Sequence, residues 1–483
     1  MAQVGIIGAG IAGLAAAHRV EQAGHEPVVF EQQARPGGAI HSEHFEAPTT
    51  EGRYLVEFGP NSLRSSTPLL EEFFDTLGLA GARVEAAPEV AERRYVVFSG
   101  RPVVLPASLH ELISTELFSP QAKVRLLAEP FVGKPSPGEA EDESVADFAR
   151  RRLGPEVLDY GINPFTAGVF AGDPEALSMQ HAFPRLHALE AEHGSLLGGG
   201  LRRAASALAR RLLERPGDAE ESQGNGPFSL KGGLATLPRA LADHLDGGRV
   251  RYDTEVQALR RTGEGRWRVS LAPPDAGDPP QQAPSLEDPT FDALVWSGSL
   301  PAFSALAPAL DADTTPLDDV SYPPVSVVAT GFPREAVDHP LDGFGMLVPA
   351  AEDGCRTLGT LFSSSVFPHR APEDRVLLTT LVGGARDPAL AEADDETVYE
   401  AVYHDLRRVL GAHTPPVFRR RVTWPHAIPQ YHVGYGRVKN ALSQIEADCP
   451  GLYLAGNYRA GVSVSDAAQS GDAAARRLVK RFA

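Results

Sequence analysis

The feature that most restricts how this chain can fold is its opening stretch. "QVGIIGAGIAGLAAAHRVEQAGHEPVVFE" (3–31) reads as strand, tight turn, helix and second strand. That βαβ order implies parallel pairing of the two strands. Inside it stands G-x-G-x-x-G, at Gly8, Gly10 and Gly13. Gly8 permits the tight turn, Gly10 lets backbone approach a pyrophosphate, and Gly13 lets helix pack close on strand. The helix, read over Leu14 to Gln22 and closed at Gly24, turns free N–H groups and a positive dipole end toward phosphate. Glu31 lies 18 residues past Gly13, near the spacing of an acid that takes a ribose hydroxyl. The glycines alone would be a weak signal. With strand, helix and acid around them they mark a dinucleotide site.

A chain of 483 residues can hold two or three domains with substantial cores. Its net charge of −18 argues against nucleic acid as a partner, because phosphate binding is driven by clustered Lys and Arg. Cys355 and Cys449 show neither metal spacing nor a CxxC pair, and read as plain thiols of a reducing compartment. No HxxxH with an acid suggests metal, and His193 and His426 read as structural. No run of about 18 apolar residues occurs, so no transmembrane helix is expected. The glycine-punctuated, non-basic N-terminus does not read as a signal peptide. The expected location is cytoplasmic.

Three stretches rich in Pro, Gly and acid, 133–144, 215–227 and 272–289, read as surface loops or insertions. Residues 107–215 are mostly helical in pattern; Leu109, Leu112, Ile113 and Leu117 fall at helical spacing. Short strands are expected at "VRYDTEVQALRR", "RWRVSLA" and "ALVWSG", and a helix at "DDETVYEAVYHDLRRVLG".

The residues after the second strand discriminate between dinucleotides. "ARPGGAIHS" (34–42) resembles the extended FAD signature of glutathione-reductase-like flavoproteins, which implies that Arg35, Gly37 and Gly38 pass close under the cofactor. "YLVEFGPNSL" (54–63) resembles the segment running past the flavin in the amine-oxidase-like branch, through Glu57, Gly59, Pro60, Asn61 and Ser62. The other end of the chain supplies a counterpart. "LYLAGNYRAGVSVSDAAQSG" (452–471) carries a strand closing at Gly456, a loop with Asn457 and Gly461, then Val462, Ser463, Val464 and Asp466 ahead of a last helix. In that branch Asp466 would take a hydroxyl or phosphate of FAD. The helix would direct N–H groups at the electron-rich edge of the flavin, where a positive dipole end stabilises the reduced ring. Both chain ends are thus expected to close on one FAD. Ile11, Ala12 and Gln32 join the set at the first end, and Val256 and Trp424 join it from the middle.

A second glycine run, "LLGGGLRR", lacks the strand before and the acid after, so no nicotinamide site is read. The reduced flavin is then expected to reoxidise on oxygen or a soluble acceptor. The stretches 92–113, 164–179, 342–372, 381–386 and 424–431 resemble the oxygen-dependent protoporphyrinogen oxidases of haem synthesis, and the resemblance covers essentially the whole chain. It implies an α/β fold with a Rossmann-like FAD-binding domain (1–92, 228–302 and 418–483). A mixed-sheet substrate domain (303–417 with 93–106) and a helical, membrane-facing domain (107–227) would complete it.

The resemblance also implies six-electron oxidation of protoporphyrinogen IX. Hydride would pass from a methylene bridge to flavin N5, and O2 would return as peroxide in three rounds. Arg94 would pair with a substrate propionate, a role that suits an always-charged, bidentate guanidinium; Arg93 is its nearest rival. Leu347, Leu361 and Leu381 would sandwich the macrocycle beside Phe344, and the carbonyl of Gly168 would face its N–H groups. No dedicated acid–base pair is read. The Ala171-Gly172 pair departs from relatives that have two glycines, and the 272–289 insertion is a second departure. Arginines opposite leucines in "LRRAASALARRLLER" allow peripheral membrane contact. Further partners implied are the next enzyme of the haem pathway and, at most, a second copy of the chain.

Coproporphyrinogen III remains the alternative substrate; with four propionates it should ask for more positive charge than one arginine. An amine oxidase of the same fold would place a lysine near flavin N5, yet no lysine falls between Lys231 and Lys439. A carotenoid desaturase would have no use for Arg94. A carrier of prenylated GTPases, which has lost FAD, is opposed by the intact Gly8, Gly10, Gly13, Glu31 and Asp466.

Overall fold

A computed structural model describes residues 1–48, 50–64, 67–133, 142–196, 226–245, 247–272, 288–306, 310 and 312–482. Its first layer is a five-stranded sheet in the order Val250–Arg251, Glu26–Phe30, Gln3–Ile7, Ala293–Trp296, Leu452–Leu454. All four pairings are parallel, and Val4, Ile6, Val29, Leu294 and Val295 are buried completely, as both faces of a covered parallel sheet require. The helix Ile11–Gln22 begins three residues ahead of the expected Leu14. Its first turn coincides with the glycine motif, so those residues read as turn.

The closing helix Val464–Val479 packs along that first helix. A Cβ on Gly471 would lie 1.9 Å from the carbonyl oxygen of Ala12, a backbone approach that only glycine permits. First and last helices of the chain are thereby locked side by side.

The second layer is a seven-stranded sheet ordered Phe418–Trp424, Val325–Pro333, Arg375–Gly383, Thr357–Leu361, Gly345–Leu347, Tyr95–Phe98, Arg101–Val104. One face is covered by the helix Asp395–Leu410 through Val398, Val402 and Leu406. The other meets Tyr54 and Val56 of the strand Arg53–Glu57 with Phe58 just beyond it, and Ala167 and Ala171 at the helix Asn163–Phe170. Phe418–Trp424, expected within the FAD-binding part, pairs with Val325–Pro333 as an edge strand here.

The third element is a block of short helices, including Pro120–Leu127, Val145–Arg152, Asn163–Phe170 and Pro184–His193. At its centre Arg152 is fully buried, bridging Glu129 at 3.2 Å and Glu190. No helix of the described residues is long and apolar enough to cross a membrane. The arginine-leucine stretch 201–215, most of "LLGGGLRR" and most of the three Pro/Gly-rich insertions lie outside the described residues.

Candidate active site

At the first chain end each motif glycine has a separate steric reason. Gly8 has φ +100°, and a Cβ on Gly13 would stand 2.0 Å from the Gly8 carbonyl oxygen. Around Gly10 there is nothing within 4 Å of where a Cβ would sit. The protein leaves that side open, as a pyrophosphate lying against backbone requires. Gly37 N–H donates to the Ala9 carbonyl at 2.8 Å and a Cβ on Gly38 would lie 3.4 Å from the Gly10 Cα, so the 34–42 loop closes over the turn.

Glu31 is buried at the end of its strand; its carboxylate accepts from Ala9 N–H at 2.7 Å and Gln33 N–H at 2.9 Å. The Thr254 amide donates to the Glu31 carbonyl at 2.9 Å, which brings Val256 to the same end. The Arg35 guanidinium donates inward to the carbonyls of Gly38 (3.0 Å) and Ile40 (3.3 Å), with its pKa pushed down by burial, and so clamps the loop.

The 57–62 segment is held by a network the sequence does not announce. Glu57 is buried and accepts from Ser42 Oγ at 2.5 Å and the Leu234 amide at 2.9 Å. Arg370, also buried, stands 3.4 Å from it and donates to Ser229 Oγ at 3.0 Å and the Asn61 carbonyl at 2.7 Å, as well as to Asn61 Oδ1. Burial drives the pair's pKa values toward neutrality, raising Glu57 and lowering Arg370 to about 10. Arg370 escaped notice because "FPHRAP" looks like a loop carrying a solvated cation. Trp424 Nε1 donates to the Phe58 carbonyl at 2.7 Å, tying the edge strand to this segment. A Cβ on Gly59 would fall 1.8 Å from the Ala39 carbonyl, so 57–62 crosses directly over the 34–42 loop.

At the far chain end, Ser463 caps the closing helix: its Oγ accepts from Asp466 N–H at 3.1 Å and donates to Asp466 Oδ2 at 2.6 Å. This capping arrangement leaves Asp466 Oδ1 without a hydrogen-bond partner among the described residues. A Cβ on Gly461 would sit 2.3 Å from Oδ2. Gly456, Asn457, Val462 and Val464 lie on the same strand-loop-helix turn.

The sheet face toward the helix Asn163–Phe170 carries the slot. Leu347 and Leu381 flank Gly359 in register, and Leu361 lies two residues along from that glycine, so all three share one face. Apart from the terminal Arg375, they are the residues of their strands that are not buried. Leu347 Cδ2 comes within 2.7 Å of where a Cβ on Gly168 would be, which sets helix against sheet across the slot. Gly168 belongs to the last helical turn, whose carbonyls lack an in-helix partner. Ala171 caps that helix at φ +49°, a left-handed conformation that favours glycine.

Arg94 sits at the slot's side, half-buried, its Cζ 5.4 Å from the Phe344 ring. Burial and the Arg64 charge lower its pKa. It has no ion pair or side-chain hydrogen bond among the described residues. Arg93 is instead exposed and paired with Asp342, so it is no longer a rival.

What such a molecule is built to hold is one dinucleotide stretched between the chain's two ends, with a flat, carboxylate-bearing substrate against it. Its class is that of the FAD-dependent oxidoreductases. Comparison with known proteins gives the family. The chain belongs to the flavin containing amine oxidoreductases, matched over residues 11–479, and within them to the protoporphyrinogen oxidases. Protoporphyrinogen oxidase 2, chloroplastic/mitochondrial, of Arabidopsis thaliana is 35% identical over 99% of this chain and 94% of its own. Coproporphyrinogen III oxidase of Bacillus subtilis (strain 168) is 28% identical over 97% of this chain and 96% of its own. A solved candidate protoporphyrinogen oxidase from Exiguobacterium sp. 255-15 superposes with a TM-score of 0.79 at 22% identity, each chain covered to 99%.

Proposed function

We propose that the protein oxidises protoporphyrinogen IX to protoporphyrin IX, with FAD as immediate and O2 as final electron acceptor. The single observation that carries the substrate choice is Arg94: one partly desolvated guanidinium without a carboxylate partner among the described residues, at the side of a leucine-lined slot. Leaving a cation so would be costly unless a ligand carboxylate completes it. Coproporphyrinogen III, with four carboxylates, would ask for more cations than this slot offers.

The open side of Gly10, the Glu31 carboxylate and the Asp466 turn would hold FAD at its phosphates and sugars. When bound, FAD supplies two-electron acceptance and returns the electrons to O2, three rounds accounting for six electrons and three peroxides. The chain's own work is orientation. Leu347, Leu361 and Leu381 exclude water and press a flexible macrocycle flat; Arg94 anchors a carboxylate remote from the reacting carbon; the Gly168 carbonyl, in the last turn of its helix, accepts from a pyrrole N–H. Such positioning lowers the entropic part of the barrier. Peroxide release measured with each porphyrinogen tests the assignment: faster release with coproporphyrinogen III would overturn the substrate choice, and a colourless protein the redox reading.

The reading includes a cytoplasmic protein attached peripherally to membrane. Ile113, Val124, Leu127 and Phe131 support it, being exposed apolar side chains of the helical block. Co-sedimentation with lipid vesicles tests it; failure to sediment would remove the membrane from the account.

A further inference from the structure

The helix wall of the slot begins at Asn163, a side chain that no step above uses. The helix Asn163–Phe170 runs straight on from a π-helical turn, Leu158–Ile162. Asn163 is of a type that favours helix caps, but here its half-buried side chain reaches the sheet instead. Asn163 Oδ1 accepts from the Ala350 N–H at 3.0 Å and from Arg386 Nη2 at 3.2 Å. Arg386 Nη1 donates in turn to the Val348 carbonyl at 2.8 Å. Val348 and Ala350 continue the strand Gly345–Leu347, and Arg386 stands five residues past Leu381. One side-chain oxygen thus joins the start of the helix to the segments that carry two of the slot leucines.

The orientation of that amide is forced. A guanidinium and a backbone N–H can only donate, so both require its oxygen. Arg386 has no ion pair among the described residues, and burial lowers its pKa; its Nη atoms are spent on two neutral oxygens. The far end of the helix is held differently. There the Ala385 N–H donates to the Ala171 carbonyl at 2.7 Å, and Gln430 Nε2 to the Phe170 carbonyl at 2.9 Å. At the near end, the hydrogen bonds from helix to sheet among the described residues are those of Asn163. The Tyr160 ring packs on Phe98 with centroids 5.0 Å apart, but apolar contact is non-directional and sets no register. Gly168 lies five residues after Asn163, about 7.5 Å along the helix, where Leu347 already crowds it. A small tilt about the fixed far end would move the Gly168 carbonyl and change the width of the slot.

We propose that Asn163 is a positioning residue for the substrate: its side-chain oxygen ties the start of the slot helix to the sheet and fixes where the Gly168 carbonyl meets the macrocycle. The inference rests on the porphyrinogen reading of the slot. A wild-type protein that neither oxidises protoporphyrinogen IX nor binds protoporphyrin IX defeats that reading first. One that does both, with an indistinguishable Asn163→Leu variant, defeats only the role of Asn163.

The test uses the flavin-loaded full chain and reads protoporphyrin IX binding by fluorescence quenching, beside steady-state oxidation of protoporphyrinogen IX. Asn163→Leu keeps the size of the side chain and removes the acceptor; Ala350 is exposed, so water can take its N–H. Kd for the porphyrin and KM are expected to rise about tenfold, as one to two unmade hydrogen bonds would give. The Kd for FAD should stay within about twofold, because the change is confined to the slot side. Asn163→Asp keeps an oxygen for both donors and should recover most of the lost porphyrin affinity. Unchanged porphyrin Kd and KM in Asn163→Leu, or equal losses in Asn163→Leu and Asn163→Asp, would overturn the proposal. Should Asn163→Leu not fold, Arg386→Met decides: a raised porphyrin Kd supports the tie and a wild-type Kd refutes it.

Discussion

Replacing Arg94 with alanine gives the most direct chemical prediction. The guanidinium is half-buried beside Phe344, with Arg64 near enough to depress its pKa and no ion-pair partner among the described residues. Deleting it therefore leaves no protein carboxylate stranded, and the folded state should tolerate the change. The loss falls on the substrate. A charge-assisted hydrogen bond to a carboxylate in a partly desolvated place contributes about 1.5–3 kcal/mol, which is about a 10- to 150-fold change in affinity. Because the anchored group is remote from the methylene that gives up hydride, the change should appear in KM, with kcat within about threefold of wild type. The assay is porphyrin fluorescence against substrate concentration. Arg93→Ala is the control: that side chain is exposed and already paired with Asp342, and its KM should stay within about twofold. An unchanged KM in Arg94→Ala, or an equal rise in Arg93→Ala, would refute the reasoning.

Four further changes separate fold from site. Gly10→Ala meets nothing within 4 Å, so apoprotein melting should match wild type while FAD affinity falls about tenfold or more. Gly13→Ala, whose Cβ would sit 2.0 Å from a carbonyl oxygen, should instead destabilise the apoprotein by about 1–3 kcal/mol or more. Gly168→Ala pushes against Leu347 Cδ2 at 2.7 Å and narrows the slot; KM should rise with the flavin spectrum unaltered. Arg370→Met strands the buried Glu57 carboxylate, costing about 3–5 kcal/mol in urea unfolding near neutral pH. Glu57 already sits above its ordinary 4.5, and removing the cation raises it further. A raised acid stabilises the fold below its unfolded pKa and loses that contribution as pH rises through the folded value. The variant's deficit should therefore be smaller at about pH 5 than at about pH 8; a constant deficit would rule out Glu57 as its source.

The parts of this molecule most legible in sequence are those where local chemistry and tertiary position coincide. Gly8, Gly10 and Gly13 each answer to a separate steric demand, and the strand before and acid after them are local too. The three slot leucines were readable only by resemblance: in sequence Leu347, Leu361 and Leu381 are indistinguishable from core, and the register across Gly359 is what puts them on one accessible face. Arg370 and Asn163 were not readable. Each acts on a backbone group far away in the chain (Asn61 and Ala350 respectively), and their neighbouring residues carry no periodicity that says so. The edge strand Phe418–Trp424 was not read as a strand, because three consecutive arginines hide its alternation.

A visible spectrum of the purified protein, taken anaerobically before and after adding protoporphyrinogen IX, bears most directly on the whole account. One bound flavin per chain should bleach on mixing and recover its colour when air is admitted, releasing peroxide. A chain without flavin that takes up none, or a flavin that stays oxidised beside the substrate, would contradict it.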